Sequence, residues 1–303
     1  MNPLLHEVCR VRRLVCDGAM GTQLMLAGLE QGECGEAWNL SHPDRVLAIQ
    51  KRYVEAGTDC LITNTFGGSR TNLARHGQEG ALKEINAAAV RIAREAFGGR
   101  AGYVLGDVGP LGALLEPYGD LTIEAAQAAY LEQTAVLVEA GVDAIIIETQ
   151  TAFEELGLAL AAAKTAGAKS IIASVAYDAA PDGVTFRTMM GVAPEPVAAF
   201  AAENGAHIVA LNCGRGMDMP SAARVARVYR NSCDLPIMVQ PNAGQPVLEG
   251  MRAVYKQLPA DMGRCVPEAL EAGAAIIGSC CGSTPEHTRA IRQAVDRWVA
   301  EHR

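Results

Sequence analysis

No run of lysines or arginines stands out in this chain, and its formal net charge is −8. That argues against a nucleic-acid surface built from basic residues. No apolar stretch approaches the ~20 residues that span a membrane. Met1–Arg13 mixes Glu7 with Arg10, Arg12 and Arg13, and lacks the apolar core and small-residue cleavage site of a signal peptide. Aromatic residues make up only 5% of the chain, with two tryptophans, Trp38 and Trp298. An aromatic cage for a quaternary ammonium is therefore not obvious, although Trp38 and Tyr118 could contribute to one. No Pro/Ser-rich linker and no block of like charge interrupts the sequence, which predicts one domain. What is there is ordinary globular composition, 50% hydrophobic and 20% charged, enough for one large core or two small ones. Nine cysteines is an odd count in a chain too long to need disulfide staples. Without a secretory signal they read as reduced thiols in a cytoplasm.

Eight near-continuous apolar runs, at 13–17, 60–65, 103–107, 144–148, 170–176, 208–213, 236–240 and 275–279, have the composition of parallel strands covered on both faces. Helical patterns separate them. Ser41, Thr122 and Ser283-Thr284 offer hydroxyl caps, with Pro43, Glu124 or Pro285 in the first turn that follows. Eight βα units predict an α/β protein, a single-domain (β/α)8 TIM barrel over 1–303. A short extra helix at about residues 1–12 is expected over the barrel bottom. A doubly wound open sheet is the alternative. No Gly-x-Gly-x-x-Gly loop follows strand one, which weakens its dinucleotide-binding version.

Polar residues gather at the C-terminal ends of these strands, the face where barrel active sites lie. Asp17 ends strand one, Asn64 and Thr65 strand two, Asp107 strand three and Glu148 strand four. Cys213 ends strand six, Asn242 follows strand seven, and Cys280 and Cys281 end strand eight. Three thiols at strand ends can converge on one metal. They fall one short of the four ligands of a structural zinc site, which leaves a vacant position suited to chemistry on a thiol. A structural zinc or a redox pair is the other reading of Cys213, Cys280 and Cys281. Cys9, Cys16, Cys34, Cys60, Cys233 and Cys265 read as inert packing residues. Each polar candidate also has a plain reading: Glu148 a satisfied core carboxylate, Asp17 a turn cap, Asn64 and Asp107 loop pins, Asn242 a turn residue. Asn242 could instead place its amide oxygen in the open zinc position. His76 reads as a surface residue, His207 as structural at the barrel bottom, and Arg187–Gly191 as a loop with buried methionines.

Seven segments together resemble the zinc-dependent homocysteine S-methyltransferase family. They are Asp17-Gly18-Ala19-Met20-Gly21-Thr22, Thr63-Asn64-Thr65-Phe66, Gly106-Asp107-Val108-Gly109-Pro110, Ile147-Glu148-Thr149, Leu211-Asn212-Cys213, Pro241-Asn242-Ala243-Gly244 and Gly278-Ser279-Cys280-Cys281-Gly282. The resemblance covers nearly the whole chain, and the paired cysteines with the upstream Asn-Cys are its most specific part. It implies a (β/α)8 barrel with Zn2+ on Cys213, Cys280 and Cys281 and homocysteine sulfur as fourth ligand. It implies that Asp17 and Glu148 face the substrate amino group, with backbone amides around Ala19, Met20, Gly21 and Thr22 holding the carboxylate. Asn64, Asp107 and Asn242 are further substrate-side candidates. The expected product is methionine. The physics agrees: a free thiol has a pKa near 8.5, zinc deprotonates it, and three thiolates keep the fourth sulfur electron-rich.

The methyl donor is less marked. Pro241–Pro246 is more similar to the cobalamin-dependent methionine synthases than to the S-methylmethionine enzymes, which usually carry Ser at the position of Ala243. No Asp-x-His-x-x-Gly corrinoid-ligating segment is present, so a methylcorrinoid is expected to arrive on a separate protein docking over the rim. S-methylmethionine, betaine or another small donor is the alternative within the same chemistry. A zinc-bearing subunit that docks a corrinoid protein without turnover is the alternative from a different class.

Overall fold

A computed structural model describes residues 2–249 and 252–302. Eight parallel strands form one sheet: β1 Leu14–Val15, β2 Cys60–Ile62, β3 Tyr103–Val108, β4 Ala144–Gln150, β5 Ile171–Val175, β6 Ile208–Asn212, β7 Ile237–Gln240 and β8 Ala274–Ile277. Their order is β1-β8-β7-β6-β5-β4-β3-β2. A parallel bridge between Cys16 and Cys60 joins the two ends, so the sheet closes as a (β/α)8 barrel. β1 is shorter than its apolar run because β2 meets it only at that bridge. Helices cross between successive strands on the outside, and the strand backs and helix faces share one large buried cluster. This is the packing that closes a parallel sheet on itself.

Helix starts follow local chemistry. Pro43, Pro194, Pro259 and Pro285 occupy first-turn positions, where the missing N–H costs nothing. The Thr122 side chain accepts from Ala125 N–H. Ser41 does not cap as expected: its hydroxyl bonds Ala37 O and His42 Nδ1, and His42 is the cap residue. Two hairpins in the loops after β5 and β7, Asp178–Ala179 with Phe186–Arg187 and Pro246–Glu249 with Arg252–Tyr255, have no counterpart in the apolar pattern. Only Arg187 of Arg187–Gly191 joins a hairpin; the rest is a loop as expected, but its methionines are not buried. Met189 and Met190 stand 79% and 53% exposed.

Side chains of successive strand residues alternate between lumen and helix layer. The lower lumen is filled by residues of one parity, among them Ile62, Tyr103, Leu105, Ile146, Ile172, Met238 and Ile276. Helix Leu5–Val11 contributes Leu5 and Cys9 to the same cluster. His207 stacks on His6 at 4.5 Å and accepts from Ile171 N–H, a structural role at this end. One step further along the same parity the residues become polar: Asp107, Glu148, Ser174, Asn212 and Gln240. That change within single strands places the site.

Candidate active site

Cys213 follows β6 with a left-handed backbone, φ 53°, and Gly214 continues the turn at φ 89°. A Cβ at Gly214 would lie 1.8 Å from Tyr177 O, so only glycine lets the chain turn back here and carry the Cys213 sulfur over the lumen. Cys280 and Cys281 follow β8 and are held by the neighbouring loop: Cys280 N–H donates to Pro241 O and Ala243 N–H to Cys281 O. The three sulfurs lie within 4.8 Å of one another. Cys213 to Cys281 is 3.6 Å and Cys280 to Cys281 is 3.9 Å. Two ligands of a tetrahedral zinc with ~2.3 Å bonds stand about 3.8 Å apart, so the trio fits Zn2+ without rearrangement. Among the described residues this is the one cluster of three or more His, Cys, Asp or Glu donors at ligating separations.

The charge state of the trio agrees. Hydrogen bonds from Cys280 and Cys281 hold the Cys213 thiol down to about 3. Cys281 is pushed up to about 11 and Cys280 well above its usual range, first through the hydrogen bond each makes to Cys213. The three sulfurs thus share hydrogen bonds that favour a thiolate at Cys213, the form in which sulfur ligates a metal.

A cavity of ≈ 450 Å³ opens over the sulfurs, lined also by Asp107, Glu148 and the segment Gly18–Thr22. Asp17 lies beneath it, 2% exposed, accepting from Ile62 N–H at 2.9 Å and from the Cys16 thiol at 3.3 Å. Burial pushes its carboxyl up to about 7 against those hydrogen bonds. Glu148 is pushed up to about 8, by burial first and then by the charges of Asp17 and Cys213. Asp107 lies well above the carboxylate range through burial and then the charges of Glu148, Glu36 and Asp17, and its Oδ1 is buried without a partner. None of the three takes part in a salt bridge among the described residues. Two buried carboxylates, Asp17 and Asp107, and the half-buried Glu148 face the cavity region without a cationic side chain, an environment complementary to a positively charged group.

The remaining candidates divide. Ala19 N–H is already committed to Ser283 Oγ at 3.0 Å. The amides of Met20, Gly21 and Thr22 open the helix Met20–Leu26, where first-turn N–H groups lack intrahelical acceptors. Asn64 lines the cavity, but its amide is spent on Gly35 O and Asn39 Oδ1 at 2.8 and 3.1 Å, pinning the 35–39 loop. Asn242 donates to Gly214 O at 2.8 Å, and its Oδ1 is buried without a partner. No aromatic cage forms from the expected pair. Trp38 is 5% exposed, with Arg45 and His42 against its ring, while Tyr118 is 83% exposed, and neither lines the cavity.

Sequence reasoning missed Gln240, which lines the cavity and offsets part of the rise at Glu148. It also missed Ser174, and it quoted Asn212 in the Asn-Cys segment without giving it a role. The signal was available: all three are polar residues at inward parity inside apolar strands. Glu36, whose carboxylate accepts from Gly67 N–H at 2.7 Å, sits in an aperiodic loop and left no such mark.

A family model described as homocysteine S-methyltransferase matches residues 14–295. The chain is 31% identical over 309 residues to a methionine synthase of Mycobacterium tuberculosis (strain ATCC 25618 / H37Rv), covering 96% of this chain and 25% of that protein. It is also 31% identical over 312 residues to a methionine synthase of Mycobacterium leprae (strain TN), covering 97% of this chain and 25% of that protein. It thus spans about a quarter of the length of these relatives. The fold is similar to the metallated form of the homocysteine methyltransferase MmuM from Escherichia coli, with TM-score 0.77 and 22% identity over 96% of this chain and 99% of that one. With nearly the whole barrel inside the matched span, this chain belongs to the homocysteine S-methyltransferase family.

Proposed function

We propose that the protein transfers a methyl group to the sulfur of homocysteine, giving methionine, at a zinc site formed by Cys213, Cys280 and Cys281. The observation that carries this reading is the juxtaposition within one cavity. Three sulfurs at zinc-ligand spacing face buried carboxylates with no cation of their own. A metal site alone would not need the acids, and an amine pocket alone would not need the thiols. Zn2+ bound there supplies the positive charge that keeps a substrate thiol deprotonated at neutral pH.

The chain's own residues then orient the substrate. Glu148 and Asp107 take the α-ammonium across the cavity, with Asp17 beneath adding charge; charge-assisted bonds to a desolvated ammonium are short and selective. The amides of Met20, Gly21 and Thr22 hold the α-carboxylate. Asn242, whose buried Oδ1 has no hydrogen-bond partner, would be the side chain able to offer an oxygen to a metal held by the three cysteines. The homocysteine sulfur attacks the methyl carbon in line. The new S–CH3 bond forms as the donor–CH3 bond breaks and the donor leaves with the electron pair. No strong base is needed, and the protein contributes positioning and charge balance.

For the donor, the identity to methionine synthases favours a methylcorrinoid over S-methylmethionine or betaine. The absence of an aromatic cage from Trp38 and Tyr118 gives betaine no support. Zinc-edge absorption on the loaded protein tests the site. Homocysteine should replace one light ligand by a fourth sulfur near ~2.3 Å. Four sulfurs before substrate, or no change after it, would remove the methyltransferase reading. Turnover with methylcorrinoid protein against S-methylmethionine and betaine decides the donor.

A further inference from the structure

Among the described residues only two non-glycine residues hold a left-handed backbone, Thr149 at φ 58° and Cys213 at φ 53°. Such a conformation is costly, most of all for a β-branched residue, and persists where surrounding contacts over-determine it. Thr149 is hydrogen-bonded to the side chain of Asn212, and Cys213 is the residue that follows Asn212 in the chain. Asn212 Oδ1 accepts from Thr149 N–H at 3.1 Å and from Ser174 Oγ at 2.6 Å, and Asn212 Nδ2 donates to Thr149 Oγ1 at 2.7 Å. Asn212 itself is fully buried and immediately precedes Cys213.

The strand pairing shows what this bracket holds. β4 and β5 run in register to Ile147↔Ala173 and resume at Gln150↔Val175, three steps on one strand against two on the other. Glu148 and Thr149 form the resulting bulge, a device that re-aims side chains beside active sites. Asn212 reaches from β6, past Ser174 of β5, to the bulge on β4. The acid facing the cavity and the first metal-ligand candidate therefore hang on one hydrogen-bonded frame across three strands.

We propose that Asn212 is a positioning residue that couples the two halves of the site, holding the bulge that aims Glu148 and the turn that aims Cys213 as one unit. The proposal rests on the zinc and homocysteine reading above. It predicts that damage on the Glu148 side is felt by the metal. Thr149→Val keeps the shape but leaves Asn212 Nδ2 without its acceptor, and Thr149→Ser restores the hydroxyl.

The experiment is chelator-competition measurement of zinc affinity without substrate, together with calorimetric homocysteine binding to the zinc-loaded protein. Thr149→Val should weaken zinc about tenfold, in the range seen when supporting partners of metal ligands are removed, and Thr149→Ser should return to within about twofold of wild type. If Thr149→Val weakens homocysteine alone and leaves zinc unchanged, Thr149 is a local substrate contact and the coupling is refuted. Should that variant not fold, Ser174→Ala removes one Asn212 partner from outside the cavity lining. It is expected to weaken both ligands by up to about tenfold, the low end for losing a supporting partner, and no change in zinc would equally refute the coupling. Failure of the wild type to take zinc or homocysteine would instead overturn the site reading itself.

Discussion

The lower and upper halves of the barrel lumen are built from the same strands and the same inward parity, yet they obey opposite rules. Below, Leu105, Ile146, Ile172 and Met238 pack into one apolar cluster, with Leu5 and Cys9 of the N-terminal helix in it. Above, the strand ends and the turns that follow them carry carboxylates without salt-bridge partners among the described residues, a thiol trio at ligating separations and the two left-handed non-glycine residues of the described chain. The first region lowers the free energy of the fold. The second raises it and is held in place by the first. A site that takes up a metal and a thiol amino acid, as proposed above, cannot satisfy its own groups beforehand, since satisfied groups would have nothing left to offer a ligand.

The largest effects should separate the halves cleanly. Cys280→Ala, above, should abolish zinc retention and turnover, a loss beyond the ~100-fold upper range for removing a mere supporting partner, while the thermal midpoint of the metal-free protein stays near wild type. Leu105→Ala, below, should cost about 2–5 kcal/mol of stability through the cavity it leaves, with zinc stoichiometry kept in the folded fraction. Metal analysis and thermal unfolding on both variants check this. A Cys280→Ala protein that keeps zinc would break the comparison. Glu148→Gln comes next in size. It keeps the shape and removes one charge, so homocysteine binding should fall by about 2 kcal/mol or more, the lower end for losing a buried charge partner. Metal-free stability should rise rather than fall, because the cost of burying an ionisable carboxyl and, after it, the repulsion with Asp17 and Cys213 are relieved. Calorimetry and thermal unfolding read the two signs, and a drop in both would mean that Glu148 is an ordinary satisfied core acid.

The same division explains what was legible in the sequence. Apolar runs, caps and glycine stops obey packing rules that act locally, so the eight strands and their barrel order could be read from periodicity. The thiols were legible because cysteines at strand ends are chemically distinctive. Ser174 and Gln240 were passed over, and Asn212 was marked only as the neighbour of Cys213, because a single polar residue in an apolar run looks like noise until parity assigns it to the lumen. Ala19 and Asn64 went the other way. Their segment lines the cavity, but Ser283 Oγ takes the one amide and Gly35 O the other, partners 264 and 29 residues away in the chain. Long-range hydrogen bonds of this kind leave no trace in local pattern, nor does the bulge at Glu148–Thr149, which depends on how β4 meets β5.

The smallest expected effect sharpens the comparison most, because it reads the unsatisfied acids directly. Asp17 and Glu148 titrate near 7 and 8 in the folded protein, raised chiefly by burial. A raised carboxyl keeps its proton longer when folded. Its contribution to stability is therefore complete below the unfolded carboxyl value and is lost as pH rises through about 7 for Asp17 and about 8 for Glu148. An arriving ammonium favours the ionised acids and should expel protons as it binds. Between pH 6 and 8 affinity should climb by up to about tenfold per unit for each proton released. Homocysteine confounds the measurement, since its own thiol loses a proton at the metal. Norleucine has the ammonium and carboxylate without the thiol, so its proton release, obtained from calorimetry in buffers of different ionisation enthalpy, reports the acids alone. Release by wild type that is diminished in Glu148→Gln would place the amine at that carboxylate. Equal release from both proteins would place it elsewhere and leave the upper lumen's unpaired charge without a ligand to answer it.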